Sequence, residues 1–406
     1  MEKPVKDITA PSQALIAVVA ASVGALVANL FYAQPLISSI GSAIGVGPAL
    51  SGSLVSITEL GYGAGLFFLV SLADLVENRR LVLIAVGVVV VGLVAVGLSQ
   101  TTLTFLAASL FVGICASSAQ ILVPFIAHLA PPERRGRVVG TVMGGLLTGI
   151  MLSRPAALFI AGSFGWRAVF FASATLMLVI GIVLARAMPR YQPRPGLHYG
   201  QILASMVDIL RERAPVRWRA AYQSLMFCAF NLFWTAVPLM LAQKFGLSQH
   251  AIALFALAGA GGALAAPIAG HLADRGHVAA ATAGAMAVLG LSFAGTIPAF
   301  GALGLVCLTV LAVLIDGAVQ MNQVAGQHII FSVPPEIRGR VNAIYMTIVF
   351  MAGAAGSLLG TYLYDRDGWT ATAGFGALIG FVGLSLSLFE RVQGGRRGMP
   401  GNGDAG

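Results

Sequence analysis

The sequence predicts an all-α membrane protein with twelve transmembrane helices in two pseudo-symmetric six-helix halves. Of its 406 residues, 58% are hydrophobic and 10% are charged, whereas soluble domains are about 45–50% apolar and about 25% charged. Twelve apolar runs reach the length of about 20 residues that crossing a bilayer requires. Landmark motifs also recur half a chain apart, which predicts the two halves.

The repeat is clearest in PPERRGRVV at 131–139, which returns as PPEIRGRVN at 334–342, an offset of 203. Further landmarks recur in the same order: NLFY at 29–32 and NLFW at 231–234, LAD at 72–74 and 272–274, and GW at 165–166 and 368–369. Such a fixed offset indicates an internal duplication.

Each predicted span is bounded by Pro, Gly or charged residues, which punctuate helices. The first half is predicted to cross the membrane at about 14–37, 50–72, 81–98, 101–129, 138–162 and 165–187. The second half is predicted to cross at about 218–242, 248–272, 278–298, 300–331, 340–363 and 368–389.

Four domains follow from these spans. They are a six-helix bundle at 1–188, a cytoplasmic linker with an amphipathic helix at 189–217, a second bundle at 218–392 and a disordered cytoplasmic tail at 393–406. Within the linker, Ile202, Met206 and Ile209 share one face of a helix. We therefore expect that helix to lie along the inner membrane surface.

The positive charges predict the orientation of the chain. All but four of the 24 Lys and Arg residues lie in the N-terminal segment, the loops after even-numbered spans or the C-terminal tail. Because cationic loops stay in the cytoplasm, both termini are predicted to be cytoplasmic. The net charge of +9 therefore reflects topology and does not predict a nucleic-acid partner.

Three charged residues are the clear cases inside predicted spans: Glu59 in span 2, Arg154 in span 5 and Asp316 in span 10. A charge there costs about 2.5–3.5 kcal/mol on insertion scales, so each is a functional candidate. A carboxylate that alternates between an apolar environment and the neighbourhood of an arginine can carry a proton. We predict this role first for Asp316 and then for Glu59. The alternative is a structural role, permanently paired with Arg154 or with backbone.

No enzyme motif occurs, neither a GxSxG, an HExxH nor a phosphate-binding GxxxxGK[ST] sequence. The sequence therefore predicts no enzyme activity, no cofactor and no metal site. The absence of a nucleotide-binding loop indicates that energy comes from an ion gradient. The predicted partners are a small-molecule solute, protons and the lipid bilayer.

GHLADRGH at 270–277 resembles the G-x-L-A-D-R-x-G-R-R loop between helices 2 and 3 of the major facilitator superfamily, and the two linked six-helix halves are similar to its fold. The first copy, at 70–80, keeps the Asp and the arginines but lacks both glycines. NLFYAQP at 29–35 and ENRR at 77–80 resemble bacterial proton-linked drug-efflux members. The resemblance implies a monomeric transporter of the bacterial inner membrane.

The same resemblance implies two groups of site residues. A cytoplasmic gate would comprise Asp74, Arg79, Arg80, Asp274 and Arg275, and the alternative is that these are ordinary loop charges. A central cavity would be lined from spans 1, 4, 7 and 10 by Asn29, Tyr32, Gln34, Gln120, Asn231, Trp234, Asn322 and Gln323. For each amide, hydrogen bonding between helices is the alternative.

Two departures from the proton-linked families leave the direction of transport open. The expected Arg before Gly113 is Ser109, and 149–155 keeps only the outline of the antiporter pattern G-x-x-x-G-P-x-x-G-G. We expect a secondary transporter that works by alternating access, with proton-coupled efflux of drug-like or amphipathic compounds favoured. Proton-linked uptake of a polar metabolite (a sugar, amino acid or organic acid) and a non-transporting membrane sensor are the alternatives.

Overall fold

The computed structural model describes residues 11–131, 133–190, 198–298, 304–334 and 337–397. Every regular element in these ranges is a helix, which confirms the predicted all-α class. We number the membrane-crossing segments as spans 1 to 12 and call Tyr199–Glu212 the linker helix.

The first half consists of spans 1 to 6. Their helices are Gln13–Ala28, Gln34–Leu36 and Ile37–Ile44 in span 1; Pro48–Leu50, Ser53–Phe68 and Val70–Asp74 in span 2; Asn78–Leu98 in span 3; Thr102–Ala116 and Ala119–Leu129 in span 4; Arg135–Phe164 in span 5; and Trp166–Ala187 in span 6.

The second half consists of spans 7 to 12. Their helices are Ala214–Phe245 in span 7; Gln249–Ala258, Gly259–Leu264 and Ala265–Asp274 in span 8; Val278–Thr296 in span 9; Gly304–Ile330 in span 10; and Arg338–Arg397, which contains spans 11 and 12. Residues 398–406 of the predicted tail lie outside the described residues, whereas helix continues through 393–397.

Within the described ranges, nine helices are long and apolar enough to cross a membrane. The last of them, Arg338–Val392, bends at Gly368, whose φ of 74° is left-handed and suits a residue without Cβ. It therefore crosses twice. Spans 1 and 8 are each interrupted, so their separate helices are shorter than a bilayer. Together these segments account for the twelve predicted spans.

Glycines allow two helices to pack backbone to backbone within each half, at equivalent positions in the two halves. A Cβ on Gly149 of span 5 would lie 2.2 Å from the carbonyl oxygen of Gly24 in span 1. A Cβ on Gly356 of span 11 would lie 2.1 Å from the carbonyl oxygen of Cys228 in span 7. Small residues permit such close packing between membrane helices. Spans 1 and 5 and spans 7 and 11 thus form matching tight pairs.

Spans 5 and 8 bring the two halves together on the side away from the chain termini. We call the side with the termini and the linker helix the inner side, and the opposite side the outer side. On the outer side Gln249 donates to Ser39 at 3.2 Å, and the rings of Phe159 and His250 lie 5.6 Å apart. By contrast, the inner part of span 5 barely contacts Ala265–Asp274 of span 8. The structure is therefore closed on its outer side.

The linker helix packs against protein on the inner side. Its apolar residues Ile202, Met206 and Ile209 are buried, and Met206 packs with Ile344 of span 11. Tyr199 donates to the carbonyl of Phe68 in span 2 at 2.9 Å. The predicted amphipathic helix thus turns its apolar face toward spans of both halves. Residues 191–197 of the linker lie outside the described residues.

Candidate functional site

Arg154 lies at the centre of the molecule, between the two halves. Its side chain is buried, with 5% exposed, and its Nε donates to Oε1 of Gln34 at 2.8 Å. The guanidinium carbon lies 4.9 Å from the ring centre of Phe31, 5.1 Å from that of Phe230 and 4.8 Å from that of Trp234. Such cation–π contacts stabilise a desolvated cation by about 2 kcal/mol. Three aromatic rings therefore hold the charge in place.

A chain of hydrogen bonds leads from Arg154 to Glu59, and its members come from five different spans. Gln34 donates to Thr235 at 3.0 Å and also to Asn231 at 3.1 Å. Thr235 donates to Ser357 at 3.2 Å, and Ser357 donates to Oε2 of Glu59 at 3.4 Å. Each group donates in the same direction, so the chain ends on the carboxylate as its final acceptor.

Asp316 lies on the other side of Arg154 and is also buried, with 7% exposed. Its Oδ1 accepts a hydrogen bond from Nε1 of Trp234 at 2.7 Å. The glycine-rich segment of span 8 packs directly on it: a Cβ on Gly259 would lie 2.6 Å from Oδ2, and a Cβ on Gly262 would lie 2.4 Å from Cβ of Asp316. Only glycine fits at these two positions beside the carboxylate.

Neither carboxylate forms an ion pair with Arg154, since no oxygen of Glu59 or Asp316 lies within 4.0 Å of a guanidinium nitrogen. Both charges still act on Arg154 electrostatically. The permanent pairing with Arg154 that the sequence left open is thus not observed in this structure. The site instead holds one cation between two separated acids, one from each half of the chain.

The two acids occupy complementary positions in the duplication. Spans 2 and 8 are related by an offset of 200, so the counterpart of Glu59 is Gly259. Gly259 packs against Asp316. Spans 4 and 10 are related by an offset of 203, so the counterpart of Asp316 is Gly113. Gly113 packs against Thr58, the residue before Glu59. In the first half, span 2 carries the acid and span 4 carries the glycine. In the second half, span 10 carries the acid and span 8 carries the glycine.

Of the predicted cavity residues, Gln34, Asn231 and Trp234 meet at this centre, and the other five lie elsewhere. Four of them form hydrogen bonds with neighbouring helices: Ser173 to Asn29 at 2.7 Å, Gln120 to Tyr62 at 3.2 Å, Asn322 to Gln223 at 2.7 Å and Gln323 to the sulfur of Met346 at 3.6 Å. Tyr32 interacts with Ser173 of span 6. These five contribute to helix packing in this conformation.

The predicted gate residues are also separated. Asp74 lies at the inner end of span 2, where Arg340 at the start of span 11 acts on it electrostatically. Arg79 donates to the carbonyl of Ala185, within its own half. Asp274 lies 3.8 Å from His328 in the second half. Only Asp74 therefore faces a charge from the other half; Arg80 and Arg275 are exposed.

Sequence reasoning missed Thr235, Ser357, Phe230 and the two glycines as site residues. For Ser357 a signal was present, because it lies 203 residues after Arg154. It also missed a buried cluster near the inner side, where Arg219 donates to Thr282 at 2.8 Å and lies 3.4 Å from Glu390. Arg219 lies near the predicted start of span 7, where a cationic side chain is common on the cytoplasmic side of a membrane protein.

A shallow surface depression lies at the inner end of span 10, lined by Val324, Gln327, His328, Phe331 and Ser332. Asp316, Gln320, Gln323 and Gln327 are spaced four, three and four residues apart, which places them on one face of that helix. Span 10 therefore presents a row of polar side chains along one face between this depression and Asp316.

Two six-helix halves around a buried charged centre define a membrane transporter that works by secondary transport, not an enzyme. The chain belongs to the major facilitator superfamily, whose model matches residues 15–327. Two bacterial relatives match most of its length. It is 36% identical to the uncharacterized transporter YgaY of Escherichia coli O157:H7 over 385 residues, 95% of this chain and 96% of that one. It is 32% identical to the probable transporter SCO4007 of Streptomyces coelicolor, covering 88% and 84%.

Solved structures show the same fold. The crystal structure of the nucleoside transporter NupG aligns with a TM-score of 0.72 at 13% identity and covers 92% of this chain and 99% of that one. At this identity the likeness concerns the fold alone. It agrees with the twelve-span architecture.

Proposed function

We propose that protons drive this transporter and that Glu59 and Asp316 take them up and release them. The observation that carries the proposal is the placement of two buried acids, one from each half, beside an Arg154 that neither acid pairs with. Burying an ionised carboxylate in such a position costs free energy unless it gains a partner of opposite charge. A movement that brings either acid closer to Arg154 or further from it therefore changes its affinity for a proton.

Rocking of the two halves about this centre would supply that movement. The outer side is closed, and the inner parts of spans 5 and 8 lie apart, so the structure corresponds to the state open toward the inner side. Asp74 and Arg340 would separate or meet as the inner side opens and closes. We propose Asp74, Arg79, Arg80, Asp274 and Arg275 as its gate, with Asp74 as the member that acts between the halves.

The positive charges support the orientation proposed here, in which the inner side faces the cytoplasm of a bacterial cell. Arg134, Arg135 and Arg137 lie at the junction between spans 4 and 5, and Arg338 and Arg340 at the equivalent junction between spans 10 and 11. Both junctions lie on the inner side. Both chain termini would then be cytoplasmic.

One candidate direction is efflux of drug-like or amphipathic compounds in exchange for protons. The three rings around Arg154 support it, since Phe31, Phe230 and Trp234 offer apolar faces to a hydrophobic solute. The second candidate is proton-linked uptake of a polar metabolite. The hydrogen-bonding groups of Gln34, Asn231 and Thr235 beside Arg154 support that direction.

The efflux candidate is tested by the accumulation of ethidium in cells that express the protein, with and without a protonophore. The efflux candidate predicts lower accumulation than in empty cells, and the protonophore should abolish the difference. Asp316→Asn should abolish it as well, whereas the control Asp208→Asn, on the exposed face of the linker helix, should behave as wild type. Protonophore-sensitive efflux that persists in Asp316→Asn would refute the proposed role of Asp316.

A further inference from the structure

One terminal nitrogen of Arg154, Nη2, is buried and has no hydrogen-bond partner among the described residues. Leaving a buried donor unsatisfied costs about 1–3 kcal/mol, and more when the group is charged. The neighbouring Nε is satisfied by Gln34, so the side chain is fixed while one donor stays available. An acceptor that carries a negative charge would satisfy it best, because charge-assisted hydrogen bonds are the strongest.

The surroundings of Arg154 contain few other charges. Glu59 from span 2 and Asp316 from span 10 act on it electrostatically. The thiol of Cys228 in span 7 also interacts electrostatically with Glu59, and a thiol is ordinarily neutral at neutral pH. With both acids protonated, the centre therefore carries one positive charge; with both ionised, it carries one negative charge.

The rings around the guanidinium determine what else the solute carries. Phe31, Phe230 and Trp234 surround Arg154 with apolar surface, so an anion without an apolar part would leave that surface unmatched. Binding pockets for small molecules combine such apolar walls with a few well-placed polar groups. An aryl or alkyl body attached to the charged group matches this lining.

We propose that the transported solute is an organic anion, a carboxylate on an apolar or aromatic body, whose carboxylate accepts a hydrogen bond from Nη2 of Arg154. The inference deepens the proposed function, because it rests on the same centre and names its substrate class. It also selects a direction of coupling. An anion binds best when Glu59 and Asp316 are protonated, so solute and protons bind together and cross together. A cationic solute would compete with the protons and exchange for them.

The test is equilibrium binding to the purified full-length protein by calorimetry, with three probes of the same shape. Phenylacetate is anionic, phenethylammonium is cationic and phenylacetamide is neutral. We expect phenylacetate to bind about tenfold more tightly than phenylacetamide, the factor for one charge-assisted hydrogen bond, and phenethylammonium to bind weakest. Arg154→Gln should remove the preference for phenylacetate. The matched control Arg167→Gln, at the outer end of span 6 where Arg167 donates to Ser99, should keep it.

Several outcomes would overturn the proposal. They are tighter binding of phenethylammonium, equal binding of the three probes, no binding of phenylacetate at millimolar concentration, and a preference for phenylacetate that survives in Arg154→Gln. If Arg154→Gln does not fold, the wild-type series still decides the charge class. Arg154→Lys then serves as the second variant, since it keeps the charge but lacks the planar fork, and we expect it to weaken phenylacetate binding severalfold.

The pH dependence separates this proposal from the proposed function. Phenylacetate stays ionised between about pH 5.5 and about pH 7.5, a range in which a carboxyl of perturbed proton affinity can change charge. We expect its affinity to rise severalfold toward the lower pH, because protonation of Glu59 and Asp316 removes the negative charges beside it. Arg154-dependent binding that does not change with pH would support the anion site and refute the two acids as proton carriers.

Discussion

Trp234 donates its indole hydrogen to Asp316 at 2.7 Å. The face of the same side chain lies 4.8 Å from the guanidinium of Arg154. One residue of span 7 therefore connects the cation of the first half to the acid of the second half. The connection is made through an aromatic ring, so the opposite charges stay apart while both remain buried.

Replacing Trp234 with Phe should destabilise the protein. A smaller aromatic ring is kept, but Asp316 loses its hydrogen-bond donor, and a buried acceptor left without a partner costs about 1–3 kcal/mol. We expect a lower melting temperature for the variant purified in detergent. The control is Trp218→Phe, because Trp218 stacks on Tyr222 through its ring face. Equal melting temperatures for the two variants would contradict the importance of this hydrogen bond.

Gly149→Ala should destabilise the close contact between spans 1 and 5. The added methyl group would lie 2.2 Å from the carbonyl oxygen of Gly24, so the helices must move apart, at a cost of about 1–3 kcal/mol. Thermal unfolding in detergent measures this. Gly144→Ala on the same span is the matched control, because nothing lies within 4 Å of its Cβ position. A similar loss of stability in both variants would show that the contact with Gly24 is not responsible, since Ala by itself favours a helix over Gly.

Cysteines introduced at Ser39 and Gln249 should be joined by a short bifunctional thiol reagent. The two side chains are in hydrogen-bond contact on the closed outer side, and the link would hold that side shut. We expect cross-linked protein on denaturing gels and a loss of transport that cleaving the reagent restores.

A second cysteine pair controls for proximity, with substitutions at Thr141 and His271 in the separated inner parts of spans 5 and 8. It should give little product under the same conditions. Efficient linking of this inner pair together with none of the outer pair would mean that the resting state opens outward.

Glu390→Gln should destabilise the inner end of the second half. Arg219 is buried and lies 3.4 Å from Glu390, which also accepts from Tyr222 at 2.6 Å. Removing the carboxylate leaves the arginine charge uncompensated; because Glu390 is partly exposed, we expect about 1–3 kcal/mol, below the full cost of breaking a buried pair. A double-mutant cycle with Arg219→Gln measures the coupling in unfolding experiments. A coupling energy of zero would mean that the two side chains act independently.

The fold could be predicted from the sequence because each span is recognisable by its length and hydropathy. The duplication also indicates that both halves contain the same number of spans. Glu59, Arg154 and Asp316 could be predicted as well, since a charge inside an apolar run is conspicuous. Which way each polar side chain points could not be predicted. Successive residues point in directions about 100° apart around a helix, so Asn29 faces span 6 while Gln34, five residues later, reaches Arg154.

Thr235 and Ser357 could not be recognised in advance for a different reason. Hydroxyl side chains are common in membrane helices, where they often bond to the backbone of the preceding turn. Nothing in a single sequence separates those from the two that complete the chain of hydrogen bonds to Glu59. The interruption of span 8 at Gly259–Leu264 was also hidden, because glycines in membrane helices are most often packing positions.

The opposed placement of acid and glycine in the two halves has a historical consequence. An ancestor made of two identical halves would have carried the same residue at Glu59 and at its counterpart Gly259. In the present chain a Glu side chain at Gly259 would collide with Asp316, and an Asp at Gly113 would collide with the backbone of Thr58. Each half has thus closed the space that its missing acid would need. The divergence is therefore irreversible by single substitutions, which can no longer restore the symmetry of the ancestral protein.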